Sequence, residues 1–285
     1  MFEGFNLKLS IDMEDGSFFE EPFPIERMKQ ELKDTVYADS YKHLKNISDY
    51  LNDGDGTLDA DQIIGDWFPP NAFDIFLSHS HKDESLAILI AYLFKKKCGL
   101  NVFIDSIFWG YSDDLLRKVD NKYAYNKNSN IYSYDVRNKT TSNVYLMLNS
   151  ALIEVIDKSE CLIFLNSENS IVQDSDPSKL YKNHSYTTSP WLMSELNFSS
   201  KARKVYPKRI DPTIKRHVSL EKSSLESASN VLQVKYKLPM NHLNELTEDT
   251  FKKWFEKIIN SELNELEVLD YLYELTGLGY VNKGN

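Results

Sequence analysis

The sequence predicts an α/β protein built on a parallel sheet, and three observations carry that expectation. The runs "FDIFLS" (73–78), "NVFID" (101–105) and "CLIFLNS" (161–167) are short and nearly continuous in apolar residues, as strands buried on both faces are. Helical patterns lie between them, and strands alternating with helices imply crossovers that cover both faces of one sheet. With 285 residues, 41% of them hydrophobic, the chain can bury a substantial core.

In chain order, Phe5, Leu7, Leu9, Ile11 and Met13 alternate with polar residues, which predicts a half-buried strand, and Asp15-Gly16 offers a turn into a second strand. A hairpin is expected to open the protein. Apolar residues at 25, 28, 32, 36, 44, 47 and 51 follow a helical stripe, a helical arm interrupted at most once. The stretch "NDGDGTLDADQ" is a turn and not a calcium loop: aligning Gly56 with the loop glycine puts Leu51 at the first ligand position and Gln62 where a bidentate glutamate belongs. The prolines of "WFPPN" mark a boundary, so residues 1–70 form an N-terminal extension.

Residues 83–97 then predict a helix apolar on nearly all sides, closed by three lysines and Gly99. A polar, tyrosine-rich loop is expected over 105–140, a helix over 142–158, and a further loop before Ser189 and Pro190, an N-cap and first-turn proline that start another helix. "VLQVKY" (231–236) alternates like an outer strand. The tail, 241–277, carries two amphipathic stripes: Phe251, Trp254, Phe255, Ile258 and Ile259, then Leu263, Leu266, Leu269, Leu272 and Leu275. These helices could pack on the sheet domain or on a second subunit. The organisation expected is 1–70, a sheet domain at 71–240, and a C-terminal helical extension at 241–285.

Asp and Glu number 43 against 33 Lys and Arg, a net charge of -10, so neither nucleic acid nor an anionic membrane is an expected partner. The basic run 201–216 reads as a solvated face. Cys98 and Cys161 are the whole cysteine complement, and with no signal-like segment or membrane-length apolar run they point to a reducing cytoplasm.

In open parallel sheets ligands sit beyond the carboxyl ends of the strands, which gathers the loops after Ser78, Asp105 and Ser167 on one rim. No G-x-G-x-x-G and no P-loop follows any strand. In "SHSHKDE", His79, His81 and Asp83 could form a metal-binding H-x-H-x-D run, as in a metallohydrolase, but His184, His217 and His242 sit in no ligand setting. The other reading is a polar turn with Asp83 capping the next helix. Trp191 and Glu195, four apart, share one side of their helix. From the residues alone they are either a core aromatic with a solvated glutamate, or part of a site.

"FDIFLSHSHKDE", "GLNVFIDS", "ECLIFLNS" and "SPWLMSEL", in this order, resemble the successive motifs of a bacterial Toll/interleukin-1 receptor (TIR) domain over about residues 73–207, with looser continuation to 240. The resemblance implies a flavodoxin-like five-stranded parallel sheet. It also implies cleavage of NAD+ between nicotinamide and ribose, which in some members supplies a signalling nucleotide for antiphage defence. Catalytic members place an essential glutamate on the helix after the third strand, in several cases four residues beyond a tryptophan, so Glu195 is the expected catalytic carboxylate and Trp191 a wall of the site. Ser78, His79 and Ser80 from the first loop and Asp105 and Trp109 from the second are expected to line it. Trp109 either stacks on a ring or packs in the core, and Asp105 is either a rim residue or a turn residue. NAD+ enters as substrate, with no cofactor and no metal. Self-association and a downstream effector protein are the partners implied, and a loop holding Tyr111, Tyr123, Tyr125, Tyr132 and Tyr134 departs from the family's usual length. The rival expectation is a TIR scaffold without enzymatic activity.

Overall fold

The computed structural model of the chain describes residues 1–8, 24–38, 50, 57–67, 73–172, 185–209, 234–260 and 262–278. The described strands are β1 (Glu3–Lys8), β2 (Ile75–Ser78), β3 (Val102–Phe103), β4 (Tyr125–Asn126), β5 (Ile131–Tyr132), β6 (Cys161–Asn166), β7 (Tyr186–Thr187), β8 (Tyr236–Lys237) and β9 (Asn244–Leu246). The helices are α1 (Ile25–Thr35), α2 (Ala60–Trp67), α3 (Glu84–Cys98), α4 (Asp105–Tyr123), α5 (Tyr134–Lys158), α6 (Pro190–Ser199), α7 (Glu248–Ile259) and α8 (Glu265–Leu275). Five strands form one parallel sheet in the order β3-β2-β6-β1-β9. Helices flank it in two mutually packed groups, α1, α3, α7 and α8 in one and α2, α4, α5 and α6 in the other. The architecture is α/β and flavodoxin-like. Among the described residues, no helix is long and apolar enough to cross a membrane.

The fourth position of the sheet corrects one expectation. It is filled by β1, foreseen as a half-buried strand of an N-terminal hairpin, which pairs with β6 on one side and β9 on the other. Its apolar residues Phe5 and Leu7 are fully buried, Glu3 is buried too, and Asn6 is half-buried, while Lys8 at its end is exposed. Glu3 accepts from Lys204 Nζ at 2.6 Å and Asn244 Nδ2 at 3.0 Å, and Asn6 accepts from Asn166 at 2.8 Å. Gly4 has Leu243 so close that a Cβ would meet it at 2.7 Å. The proposed turn at Asp15-Gly16 and its second strand lie outside the described residues. Two of the five strands thus come from outside 71–240.

Residues 105–140, expected as a loop, are mostly helical. In α4, Ile107, Leu115 and Val119 are the described buried apolar residues, with Leu116 partly buried beside them. A hairpin of β4 and β5, with Asn130 at φ 56°, turns the chain into α5, which starts at Tyr134 and not at 142. The buried Asp120 carboxylate ties the two helices by accepting from Arg137 Nε at 2.9 Å and from the Thr140 hydroxyl.

"VLQVKY" is no outer strand of the sheet: its described end, Tyr236, pairs antiparallel with Thr187 in a separate ribbon, and 231–233 lie outside the described residues. The outer strand is β9, three residues of ordinary polarity. In the tail the stripe of α7 packs on α3, with Trp254 edge-on to Phe94 at 5.0 Å, so it is covered within the chain. The buried face of α8 is Val268, Leu269, Leu272 and Tyr273. The nearly all-apolar α3 is explained by this arrangement, since α1 and α7 cover it as well as the sheet. Gly99, in the left-handed region at φ 82°, closes it as expected. Residues 39–49 of the helical arm and 51–56 of the acidic turn fall outside the described set, while Asp59 accepts from Gln62 N at 3.0 Å and starts α2.

In the basic run, Lys204 is bound to Glu3, and Arg209 grips Glu160 with its two terminal guanidinium nitrogens and Asp270 through Nε at 2.7 Å. Lys201, Arg203, Lys204 and Lys208 are nonetheless exposed, as the solvated face expected of this run requires. Residues 210–216 lie outside the described set.

Candidate functional site

Strand β2 lies between β3 and β6. From β2 the chain moves outward to β3, then returns to the opposite side of β2, so the strand order reverses between β2 and β6. The carboxyl ends of these strands form the crevice where ligands bind in open parallel sheets.

Helix α6 brings Glu195 to this place. Ser189 caps it, its hydroxyl accepting from Leu192 N at 3.3 Å, and Pro190 occupies the first turn. The helix buries Leu192, Glu195, Leu196 and Ser199. Glu195 is only 2% exposed, which excludes the solvated glutamate. Ser78, the last residue of β2, donates its hydroxyl hydrogen to Glu195 Oε2 at 2.6 Å, and among the described residues Oε1 has no partner. Burial, with the charge of Asp105, pushes the Glu195 carboxyl well above the usual carboxylate range, against the Ser78 hydrogen bond that lowers it.

His79 is the next residue and is also buried. Its Nδ1 lies 3.1 Å from the Leu77 carbonyl oxygen and 3.3 Å from Asp105 Oδ1, while Nε2 has no partner among the described residues. Asp105 opens α4 directly beyond β3 and is buried. Ser78, His79, Asp105 and Glu195 therefore form one cluster. Ser80 stands at its edge, half-buried, and accepts from Lys82 N as the cap of a short 3-10 turn, His81–Asp83. Trp191 is half-buried one turn before Glu195, with its ring 5.7 Å from that of Tyr145 on α5. Trp109 belongs to α4, one turn beyond Asp105, and its side chain is outside the described set.

The "SHSHKDE" side chains part company. His79 is internal, His81 is 87% exposed, and the Asp83 carboxylate turns to the loop after β6. It accepts from Ser167 Oγ and Asn169 Nδ2, both at 2.6 Å, and makes no capping bond to α3. The expected helix-capping role of Asp83 is thus corrected: it clasps two loops of the rim together. Among the described residues, no group of three His, Cys, Asp or Glu side chains is placed to hold a metal ion.

Two neighbours of the site went unforeseen. Tyr145 and Asn149 lie four apart on α5, and Asn149 Oδ1 accepts from Ser194 Oγ at 2.6 Å. Their spacing on a helix that must face α6 was the available signal, hidden because the sequence does not say which helices meet. Comparisons with protein-family models, curated proteins and solved structures gave no match.

Proposed function

We propose that the chain is a TIR-type NAD+ glycohydrolase acting in a reducing cytoplasm, with Glu195 as its catalytic carboxylate. One observation carries the reading: Glu195 is a buried carboxylate at the point where the strand order reverses, with one oxygen held by Ser78 and the other unpartnered among the described residues. Proteins place such a group where it has chemistry to perform, because an unsatisfied buried acceptor costs roughly 1–3 kcal/mol.

The reaction explains the geometry. When the bond between ribose C1′ and the nicotinamide nitrogen breaks, the bond pair leaves with the nicotinamide, now neutral, and C1′ takes on oxocarbenium character. Water then adds to C1′ and loses a proton, giving ADP-ribose. The neutral leaving group needs no strong acid. The cationic C1′ needs a fixed negative charge, which ionised Glu195 supplies. Burial strengthens the hold of the Glu195 carboxyl on its proton, and the positive ring of NAD+ acts in the opposite direction as it enters. The Trp191–Tyr145 pair offers an aromatic face for that ring.

Purified full-length chain incubated with NAD+ should release nicotinamide, and mass spectrometry of the nucleotide product would separate hydrolysis from cyclisation or transfer. Glu195→Gln should cut turnover by ~100-fold or more. Near wild-type activity in that variant at saturating NAD+ would remove Glu195 from the catalytic role.

The scaffold reading has one observation in its favour. Ile131, Tyr132 and Tyr134 stand exposed around the hairpin, Ile131 at 64%, a surface suited to self-association. It has no use for a buried carboxylate. The two readings combine if assembly completes the site, in which case turnover per chain rises with protein concentration.

A further inference from the structure

Asp83 is the residue of "SHSHKDE" that the proposed reaction leaves without a task, and it is only 5% exposed. Its own segment hangs from β2: Ser78 ends the strand, and in the turn that follows Asp83 N donates to the Ser80 carbonyl at 2.8 Å. Its carboxylate faces a different segment. Oδ2 accepts from Ser167 Oγ and Oδ1 from Asn169 Nδ2, both at 2.6 Å, short as bonds to an ionised acceptor are. The turn that supplies these donors is itself fixed to the end of β6. Ser167 Oγ accepts from Asn169 N and Ser170 N, each at 3.1 Å, and Ser170 Oγ donates to the Leu165 carbonyl at 2.7 Å. From this turn the contacts run on to α6. Val172 N donates to the Tyr186 carbonyl at 2.7 Å, Thr187 Oγ1 accepts from Ser189 N at 3.1 Å, and Ser189 caps the helix that carries Glu195.

The two segments that meet in the Ser78–Glu195 hydrogen bond are therefore joined a second time, through Asp83. We infer that Asp83 is a positioning residue for Glu195: by fixing the 167–170 turn to the segment after β2, it sets where α6 starts and so where the buried Glu195 carboxylate lies against Ser78. A carboxylate suits the task, because it offers acceptors in two directions and both groups that face it are donors. The inference rests on the glycohydrolase reading for its activity readout, while the placement of α6 is measurable without turnover.

Asp83→Ala strips both contacts from a buried position and endangers the fold, so the test starts from Asn169, which is exposed. Asn169→Asp sets a second carboxylate where a donor stood. Adding Asp83→Asn returns a donor to that contact and keeps an acceptor for Ser167. Cooperative melting by circular dichroism establishes that each variant is folded, and turnover is read well below the melt. Asn169→Asp should lower kcat roughly 10-fold with KM little changed, because a displaced carboxylate is missed in the transition state. The swapped pair should recover most of that loss. In a Glu195→Gln background Asn169→Asp should cost nothing further, since residues that act through one group do not add. Wild-type kcat in Asn169→Asp, a loss that the swap does not recover, or losses that multiply with that of Glu195→Gln overturn the inference. Wild type releasing no nicotinamide would sink the glycohydrolase alone, and hydrogen exchange over 186–195, followed by mass spectrometry, then decides the rest. Exchange that quickens in Asn169→Asp and slows again in the swapped pair keeps the positioning role, and exchange unchanged by Asn169→Asp overturns it.

Discussion

Because burial strengthens proton binding by Glu195 in the folded chain, the residue links stability to pH in a definite direction. Its folded value lies above its unfolded one, so the stability it contributes is complete below the ordinary carboxylate range and is lost as pH rises through the folded value. Glu195→Gln carries no such loss. Thermal melts from pH 4 to neutrality should therefore show the variant gaining on wild type as pH rises, and a gap that stays constant would mean the carboxyl is not buried as described. Tyr37 makes a second case at the scale of one side chain. It is fully buried, its hydroxyl donates to the Val102 carbonyl at 3.1 Å, and the same hydroxyl oxygen accepts from Ile104 N at 2.9 Å. The hydroxyl thus closes the end of β3, the sheet's edge strand, immediately before Asp105. Tyr37→Phe removes both bonds and should cost about 1–3 kcal/mol in urea unfolding, with an unchanged midpoint as the result that refutes it.

Elements were legible in the sequence where one physical signal dominated. Strands β2 and β6 lie inside runs whose apolar residues have no solvent face to reveal, and α6 begins at the Ser189-Pro190 cap and α3 ends at Gly99 because caps are local chemistry. The loops after Ser78 and Asp105 were placed on one rim because that follows from strands running in parallel, whereas Glu195 was brought to it only by the resemblance to TIR domains. Tertiary contact decided the rest. Helix α4 hid because Ile107, Leu115 and Val119 are too sparse a stripe against tyrosine and asparagine, and β9 hid because a three-residue edge strand carries no pattern. The stripe of α7 was plain, but its partner was not, and α3 supplies it: Trp254 packs on Phe94 and donates from Nε1 to the Val268 carbonyl at 2.8 Å. Trp254→Ala should therefore destabilise the chain by roughly 3–5 kcal/mol. The loss should be the same at low and high protein concentration. A melting temperature that climbs with concentration in wild type and not in the variant would instead place that face between subunits.

At the scale of the molecule, the sheet is closed by segments that lie far apart in the chain. Position four is β1, and the edge beyond it is β9, so the register Phe5 with Ile163 and Phe5 with Asn244 joins the first residues to the middle and the end. Further ties run the same way: the Met1 amino group donates to the Asp157 carbonyl, Val205 N donates to the Met1 carbonyl at 3.1 Å, and Arg209 clamps Glu160 of the β6 entrance to Asp270 of α8. A segment cut to 71–240 would keep the β2–β6 rim with the cluster of Ser78, His79, Asp105 and Glu195. It would lose both strands beyond β6, leaving the far edge of β6 with unpaired backbone groups and bare apolar residues such as Ile163 and Leu165. It would also expose α3 by removing α1 and α7. Such a fragment should fail to melt cooperatively and should aggregate or bind a hydrophobic dye, whereas the full chain melts as one unit. Adding a peptide of residues 1–8 to a chain lacking only that strand should restore part of the native circular dichroism, since the vacated slot accepts a parallel strand on both sides. A fragment of 71–240 that unfolds in a single sharp transition would show that the sheet needs neither end of the chain, and would return β1 to the status of an extension.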